Sequence, residues 1–272
     1  MKYFKYNALG NSFILTASED TDKSFLTDKS KIERILSTDR GIGADGLLII
    51  NHNENKIDFY NSDGSEALFC GNGIRAYFAY YYTFVNKNKN EFIKVNFGNL
   101  IYSGKVLKEI DSNNYIVTVK VKNNKPQIKE IIYDNNELKL FGYLTTIGVE
   151  HYVVMRKDNV EIFEKLQKNE NLLQQIQLST IFSNVPNIDL VDNIDETNIE
   201  LSTYERGVGY TASCGSGSIA AAYVSSAINE EKNNKNNYKI LTKYGKNRVS
   251  ISNSNFILTG TITLVAVGEY YG

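Results

Sequence analysis

Cys70-Gly71-Asn72-Gly73 and Cys214-Gly215-Ser216-Gly217 carry the only two cysteines of this 272-residue chain. Each tetrad runs into a stretch that reads as a helix, Ile74 to Phe84 and Ser218 to Ile228. The chain thus repeats one device: a thiol, bare backbone N–H groups, then a helix N-terminus. A helix start attracts anions and lowers the pKa of a nearby thiol. Two such devices could serve one carboxylate-bearing substrate. One thiolate would remove a proton and the other thiol would return one, which suffices to invert a stereocentre without a cofactor.

The segments around the tetrads set the fold class. Tyr3 to Tyr6 and Phe13 to Thr16 read as strands joined through Leu9-Gly10-Asn11-Ser12. Asp22 to Leu36 reads as a loop and short helix. Asp39 to Gly46 is a glycine-rich lead into the strand Leu47–Ile50, and Lys56 to Asn61 is another strand. Phe92–Val95, Leu100–Val106 and Tyr115–Val121 follow, the last with Val117, Val119 and Val121 alternating against Ile116, Thr118 and Lys120. The second half repeats this grammar. Gly142–Met155 supplies strands, Val160–Gln177 a helix, and Phe182–Val191 and Ile199–Tyr204 further strands before the second cysteine. Phe256–Val267 closes the chain as a strand. The expectation is an α/β (α+β) protein of two similar lobes, each a mixed sheet around a helix, with the change of lobe near Pro126 and the site in the cleft between them. The pattern leaves open which lobe takes the last strand.

Composition narrows the function class. Thirty basic residues against 31 acidic ones give a net charge of −1, without the basic surplus of a nucleic-acid binder. No apolar run approaches the roughly 20 residues of a membrane span. The N-terminal residues lack the apolar stretch of a signal peptide, so a cytoplasmic protein with free thiols is expected. His52 and His151 lie too far from the cysteines for zinc-finger spacing, and Gly41–Gly46 lacks the nucleotide-binding glycine pattern and its lysine. No metal and no cofactor is expected; the partner is a free amino acid, and a homodimer is the default assembly. Isolated cysteines are usually small buried hydrophobes, but two in the same tetrad at two helix heads point to chemistry.

Five segments resemble the diaminopimelate epimerase family of cofactor-independent, two-cysteine epimerases and racemases. They are Leu9–Phe13, Arg40–Gly46, Phe59–Glu66, Cys70–Gly73, and Tyr204–Gly209 with Thr211–Gly217. The resemblance implies two pseudo-symmetric lobes, each a mixed, mostly antiparallel sheet curled around a central helix. Residues 1–118 with the returning strand 262–272 would form the first lobe and 119–261 the second. It implies Cys70 and Cys214 as acid and base, and the amides of Gly71, Asn72, Gly215 and Ser216 as the cradle of the reacting carboxylate. Asn11 would hold the α-amino group, and Asn61, Asn187, Glu205 and Arg206 the far end of the substrate. The chain departs from the family at Ser12 (usually Asp), Gly46 (usually Gln) and Val149-Glu150 (usually Asn-Pro). Val149 cannot make the hydrogen bond of an asparagine, and Glu150, if it pointed inward, would favour a cationic or imidazole-bearing group. The substrate expectation is therefore divided between diaminopimelate and a histidine-like amino acid. A proline-racemase-like isomerase, a thiol–disulfide oxidoreductase (with no Cys-Xaa-Xaa-Cys to support it) and a non-catalytic binding protein are the competing classes.

Overall fold

A computed structural model describes residues 1–21, 28–67, 70–98, 100–228 and 236–271. Residues 22–27 of the expected loop before the first helix therefore lie outside the described residues. The chain forms two compact units, Met1–Val121 with Thr259–Gly272, and Lys122–Leu258. The sequence expectation drew these lines at 118/119 and 261/262.

In the first unit, β1 (Lys2–Ala8) and β2 (Asn11–Ala17) form a hairpin. Its turn needs two left-handed residues, and Leu9 (φ 53°) and Gly10 (φ 93°) supply them. α1 (Lys29–Leu36) leads to β3 (Gly46–Asn51), which runs parallel to β2, and β4 (Lys56–Asn61) returns antiparallel. Asp28 caps α1 by accepting from the amides of Ser30 and Lys31. Ile32, Ile35 and Leu36 of α1 pack on Ile14, Leu47 and Ile49. After the first tetrad comes α2 (Gly71–Tyr80), then β5 (Ile93–Phe97), β6 (Leu100–Glu109) and β7 (Asn114–Lys122). The final strand, β16 (Asn255–Glu269), joins β7 to β1 and closes the ring of eight strands. Every residue of α2 is buried, as a helix surrounded by sheet must be. The fit is close: a Cβ at Gly104 of β6 would lie 2.3 Å from the Phe78 ring. The expected helix to Phe84 ends at Tyr80 and widens into one broader turn, with the Asn86 amide donating to the Tyr81 carbonyl.

The second unit repeats the plan. β8 (Lys129–Asp134) edges β9 (Lys139–Ile147), which forms a hairpin with β10 (Val149–Met155) through Gly148 at φ 75°. α3 (Val160–Lys168) and α4 (Glu170–Gln177) precede β11 (Asn187–Asn193), which runs parallel to β10. β12 (Asn198–Glu205) pairs with β11 and with the short β13 (Gly209–Thr211). α5 (Gly215–Ile228), β14 (Asn237–Thr242), β15 (Gly245–Ile251) and the start of β16 complete it. α5 packs against β9, β10, β11, β12, β14 and β15. Ala220, Ala221 and Ala222 are fully buried, so these strands approach its backbone closely.

Two expectations are corrected. Val160–Gln177 is two helices, because Asn169 stops the first and caps the second, accepting from the Leu172 amide at 3.0 Å. The strand expected from Phe182 begins at Asn187, after Pro186, whose nitrogen has no hydrogen to give a ladder. No helix among the described residues is long and apolar enough to cross a membrane.

Candidate active site

Each unit has two parallel strand pairs, β2/β3 and β4/β5 in the first and β10/β11 and β12/β14 in the second, and a parallel pair must be joined by a long crossover. The second crossover is the central helix, and each tetrad stands at its head. In the first unit the starts of β2 and β3 and the end of β4 share one rim, since Phe13 pairs with Gly46 and Gly46 with Asn61. In the second, the starts of β10 and β11 and the end of β12 do so, since His151 pairs with Asn187 and Ile188 with Tyr204. The rim positions are those singled out from sequence.

Cys70 is the N-cap of α2, with extended backbone, and its Sγ accepts from the Gly73 amide at 3.2 Å. Asn72 is buried and donates to Asn11 Oδ1 at 3.4 Å, while Arg75 Nη2 donates to Asn72 Oδ1 at 2.5 Å. Arg75 has no exposed surface. Burial lowers its guanidinium to about 10, against the opposing pull of Cys70, so it stays charged at neutral pH. Sequence reasoning missed Arg75; its place one turn after the N-cap was the available signal. Ser12 donates through its amide (2.6 Å) and hydroxyl (3.0 Å) to Asp45 Oδ2. Asn61 donates to Ser65 Oγ at 3.1 Å. A Cβ at Gly46 would lie 2.6 Å from the Phe59 ring, so that ring occupies the space a longer side chain would need.

Cys214 repeats the geometry at α5, with Sγ accepting from the Gly217 amide at 3.3 Å and lying 3.3 Å from Ser216 Oγ. The backbone matches too: the Ile74 amide donates to the Cys70 carbonyl and the Ser218 amide to the Cys214 carbonyl, both at 3.0 Å. Both thiols are free, Cys70 partly exposed and Cys214 buried. Their surroundings differ. Burial, with Glu205 and Asp189 adding negative charge, pushes the Cys214 thiol well above its usual value. At Cys214 desolvation and two carboxyl groups outweigh the pull of the helix N-terminus.

Glu205 ends β12, and burial raises its carboxyl above the usual range, against the hydroxyl of Thr211, which donates to Oε1 at 2.6 Å. Asn187 Oδ1 accepts from the Arg206 amide at 2.9 Å, and the Arg206 side chain is exposed. Glu150 does not point toward this group. It shares the face of β10 occupied by Tyr152 and Val154, which pack with α3 and α4, and it accepts from Asn184 at 3.3 Å. Val149 lies on the other face, with His151. Asp189 and His151, both without exposed surface, were not singled out from sequence. The signal for His151 was its place at the end of Gly148–His151, the stretch compared with the family's Gly-Asn-Pro-His, whereas Asp189 gives no spacing signal.

The sequence model described as Diaminopimelate epimerase matches residues 3–126 and 143–265. The chain belongs to the diaminopimelate epimerase family. It is 32% identical over 266 residues to a diaminopimelate epimerase of Prochlorococcus marinus (strain NATL1A), covering 87% of each chain. It is 33% identical over 267 residues to that of Flavobacterium psychrophilum, covering 95% of this chain and 94% of the other. The fold is shared with a probable proline racemase from Agrobacterium radiobacter K84 (TM-score 0.72, 13% identity, 99% of this chain and 92% of that one). A PhzF-family protein from Bacillus anthracis also shares it (TM-score 0.67, 12% identity, 100% and 99%). Membership makes the chain an isomerase of the cofactor-independent amino-acid racemase and epimerase class, which works with catalytic cysteines. Two pseudo-symmetric domains of mixed sheet and helix are the architecture of this family.

Proposed function

We propose that the protein inverts the α-carbon of a free amino acid, with Cys70 and Cys214 serving opposite faces of that carbon. The observation that carries this reading is the unequal setting of two otherwise matched thiols. Cys214 stands among carboxyl groups and stays a thiol. Cys70 heads the helix that carries the buried Arg75, and its charge helps to keep that guanidinium protonated. A two-base inversion needs one thiolate and one thiol at the start, titrating as a pair.

In this reading the Cys70 thiolate removes the α-proton. The electron pair left at Cα spreads into the substrate carboxylate, which the amides of Gly71, Asn72, Gly215 and Ser216 cradle. Cys214 then delivers its proton to the opposite face, leaving a Cys70 thiol and a Cys214 thiolate. The reverse direction restores them. Asn11 takes the α-ammonium, and Asn61, Asn187, Glu205 and Arg206 take the far end. Diaminopimelate is the first substrate, since the curated relatives at 28–33% identity carry that activity in their names. A histidine-like amino acid is the second, favoured by Val149 at the rim and by the Phe59 ring at Gly46. Free thiols suit a reducing, cytoplasmic setting.

The test is α-proton exchange in heavy water without added pyridoxal phosphate, offering LL- and meso-diaminopimelate, both histidines and a panel of other amino acids. Cys70→Ala and Cys214→Ala each abolish inversion in this reading. Full-rate inversion by either variant overturns the two-base mechanism.

A further inference from the structure

Behind the second tetrad, three side chains with no part in the proton transfers form a buried polar cluster. Asn247 of β15 has no exposed surface, nor has Ser218 of α5, and Ser213 is buried with them. Asn247 lies opposite Ile240 of β14, and α5 packs on both strands. The Asn247 Nδ2 donates to Ser213 Oγ and to Ser218 Oγ, both at 3.2 Å. One amide from β15 thus ties the residue before Cys214 to a residue one turn after it.

The direction of these bonds follows from the hydrogens available. Ser218 Oγ donates to the Cys214 carbonyl at 2.7 Å, and the Ser218 amide donates to the same carbonyl at 3.0 Å. A hydroxyl has one hydrogen to give. Ser218 has spent it on the carbonyl, so toward residue 247 its oxygen can only accept. A donor is therefore required at 247, and the asparagine NH2 supplies two hydrogens, one for each serine. Breaking such a network in a buried setting leaves polar groups unmatched, which is costly.

The Cys214 carbonyl and the Gly215 N–H belong to one planar peptide. Whatever holds the carbonyl also sets the direction of that N–H. Ser213 holds the chain on the other side of the cysteine. The first tetrad is tied differently: Ile74, which matches Ser218, has no hydroxyl, and the Cys70 carbonyl takes the Ile74 amide at 3.0 Å.

We infer that Asn247 is a positioning residue: through Ser213 and Ser218 it sets the Cys214–Gly215 peptide and so aims the Gly215 amide at the substrate carboxylate. This rests on the reading of that amide as part of the carboxylate cradle. Asn247 itself touches no reacting atom.

The test uses the fact that each of the two cysteines precedes a glycine. Protein labelled with carbon-13 at the cysteine carbonyls and nitrogen-15 at the glycines gives two carbonyl–amide cross-peaks, Cys70–Gly71 and Cys214–Gly215. Cys70→Ser assigns them by removing one. Asn247→Asp keeps the shape of the side chain but offers no donor, so the Ser218 hydroxyl turns from the Cys214 carbonyl to the new carboxylate. The Cys214–Gly215 peak then moves and the Cys70–Gly71 peak does not. Ser218→Ala, which brings no charge, moves the same peak and decides the matter if Asn247→Asp does not fold. In both variants kcat/KM for inversion of meso-diaminopimelate or L-histidine falls by about tenfold per folded molecule, the worth of one hydrogen bond. A merely structural clamp would lower the urea midpoint and leave both readouts unchanged. A Cys214–Gly215 peak that neither variant moves, or full activity beside a moved peak, overturns the assignment. The peaks are read without substrate. If the wild-type protein inverts no amino acid, the proposed function fails, while the hold of Asn247 on the peptide is still decided by the spectra.

Discussion

The two tetrad glycines Gly73 and Gly217 occupy matching places and give a contrast that can be measured. An alanine at Gly73 would put its Cβ 3.2 Å from Cys70 Sγ, 3.4 Å from a Leu48 methyl and 3.5 Å from the Phe13 ring. Only the sulfur contact is tight, and Cys70 is partly exposed, so it can yield. At Gly217 the same Cβ falls 2.5 Å from Asp189 Oδ1, 2.9 Å from Thr203 Oγ1 and 3.2 Å from Cys214 Cβ. Asp189 cannot yield cheaply, because moving it stretches its bonds to His151 and Thr203, both 2.7 Å. Overpacking a filled core costs about 1–3 kcal/mol. A hydrogen bond to a buried charged group adds roughly 1.5–3 kcal/mol if it breaks. The helical preference of alanine over glycine returns up to about 1 kcal/mol. The sum for Gly217→Ala is a loss of about 1.5–5 kcal/mol, whereas Gly73→Ala stays within about 1 kcal/mol of the parent. Urea unfolding of both variants, followed by circular dichroism, reads the difference. Equal stabilities, or a less stable Gly73→Ala, would refute the placement of Asp189 as a fixed, buried carboxylate beneath α5.

Three further outcomes follow from the same geometry. With only two cysteines, selective carbon labelling of the thiol-bearing carbons gives two titrating signals; Cys214 ionises above the ordinary thiol range, and Glu205→Gln brings it down by removing a neighbouring acid. The raised Cys214 value also means that the unfolded chain loses its proton first. Stability is then intact below the unfolded thiol pKa of about 8.5 and falls as pH rises through it, a decline that Cys214→Ala should flatten in urea titrations. Val149→Asn restores a hydrogen-bonding arm on the His151 face and should raise kcat/KM for diaminopimelate relative to histidine by about tenfold; an unchanged ratio in competition assays would remove Val149 from specificity.

The thiol tetrads, the repeated strand–helix grammar and the family were legible in the sequence because they depend on local order. Cysteine at an N-cap, glycine where a backbone approaches closely, and alternation along β7 each involve neighbours a few residues apart. Asn169 shows where this fails: a single polar residue inside an apolar-periodic stretch ended one helix and capped the next, and periodicity alone did not mark it. The site was legible only as a set of residue types. Which face Glu150 takes followed from α3 and α4 covering one side of β10, and that the Phe59 ring fills the space beside Gly46 followed from the neighbouring strand. The chain by itself determined that two equivalent thiols would head two helices. Arg75 lies on the helix that Cys70 caps, whereas only tertiary structure brought Asp189 and Glu205 from separate strands to Cys214. A thiol's proton affinity is set by burial and by charges nearby in space, and at Cys214 those charges come from β11 and β12.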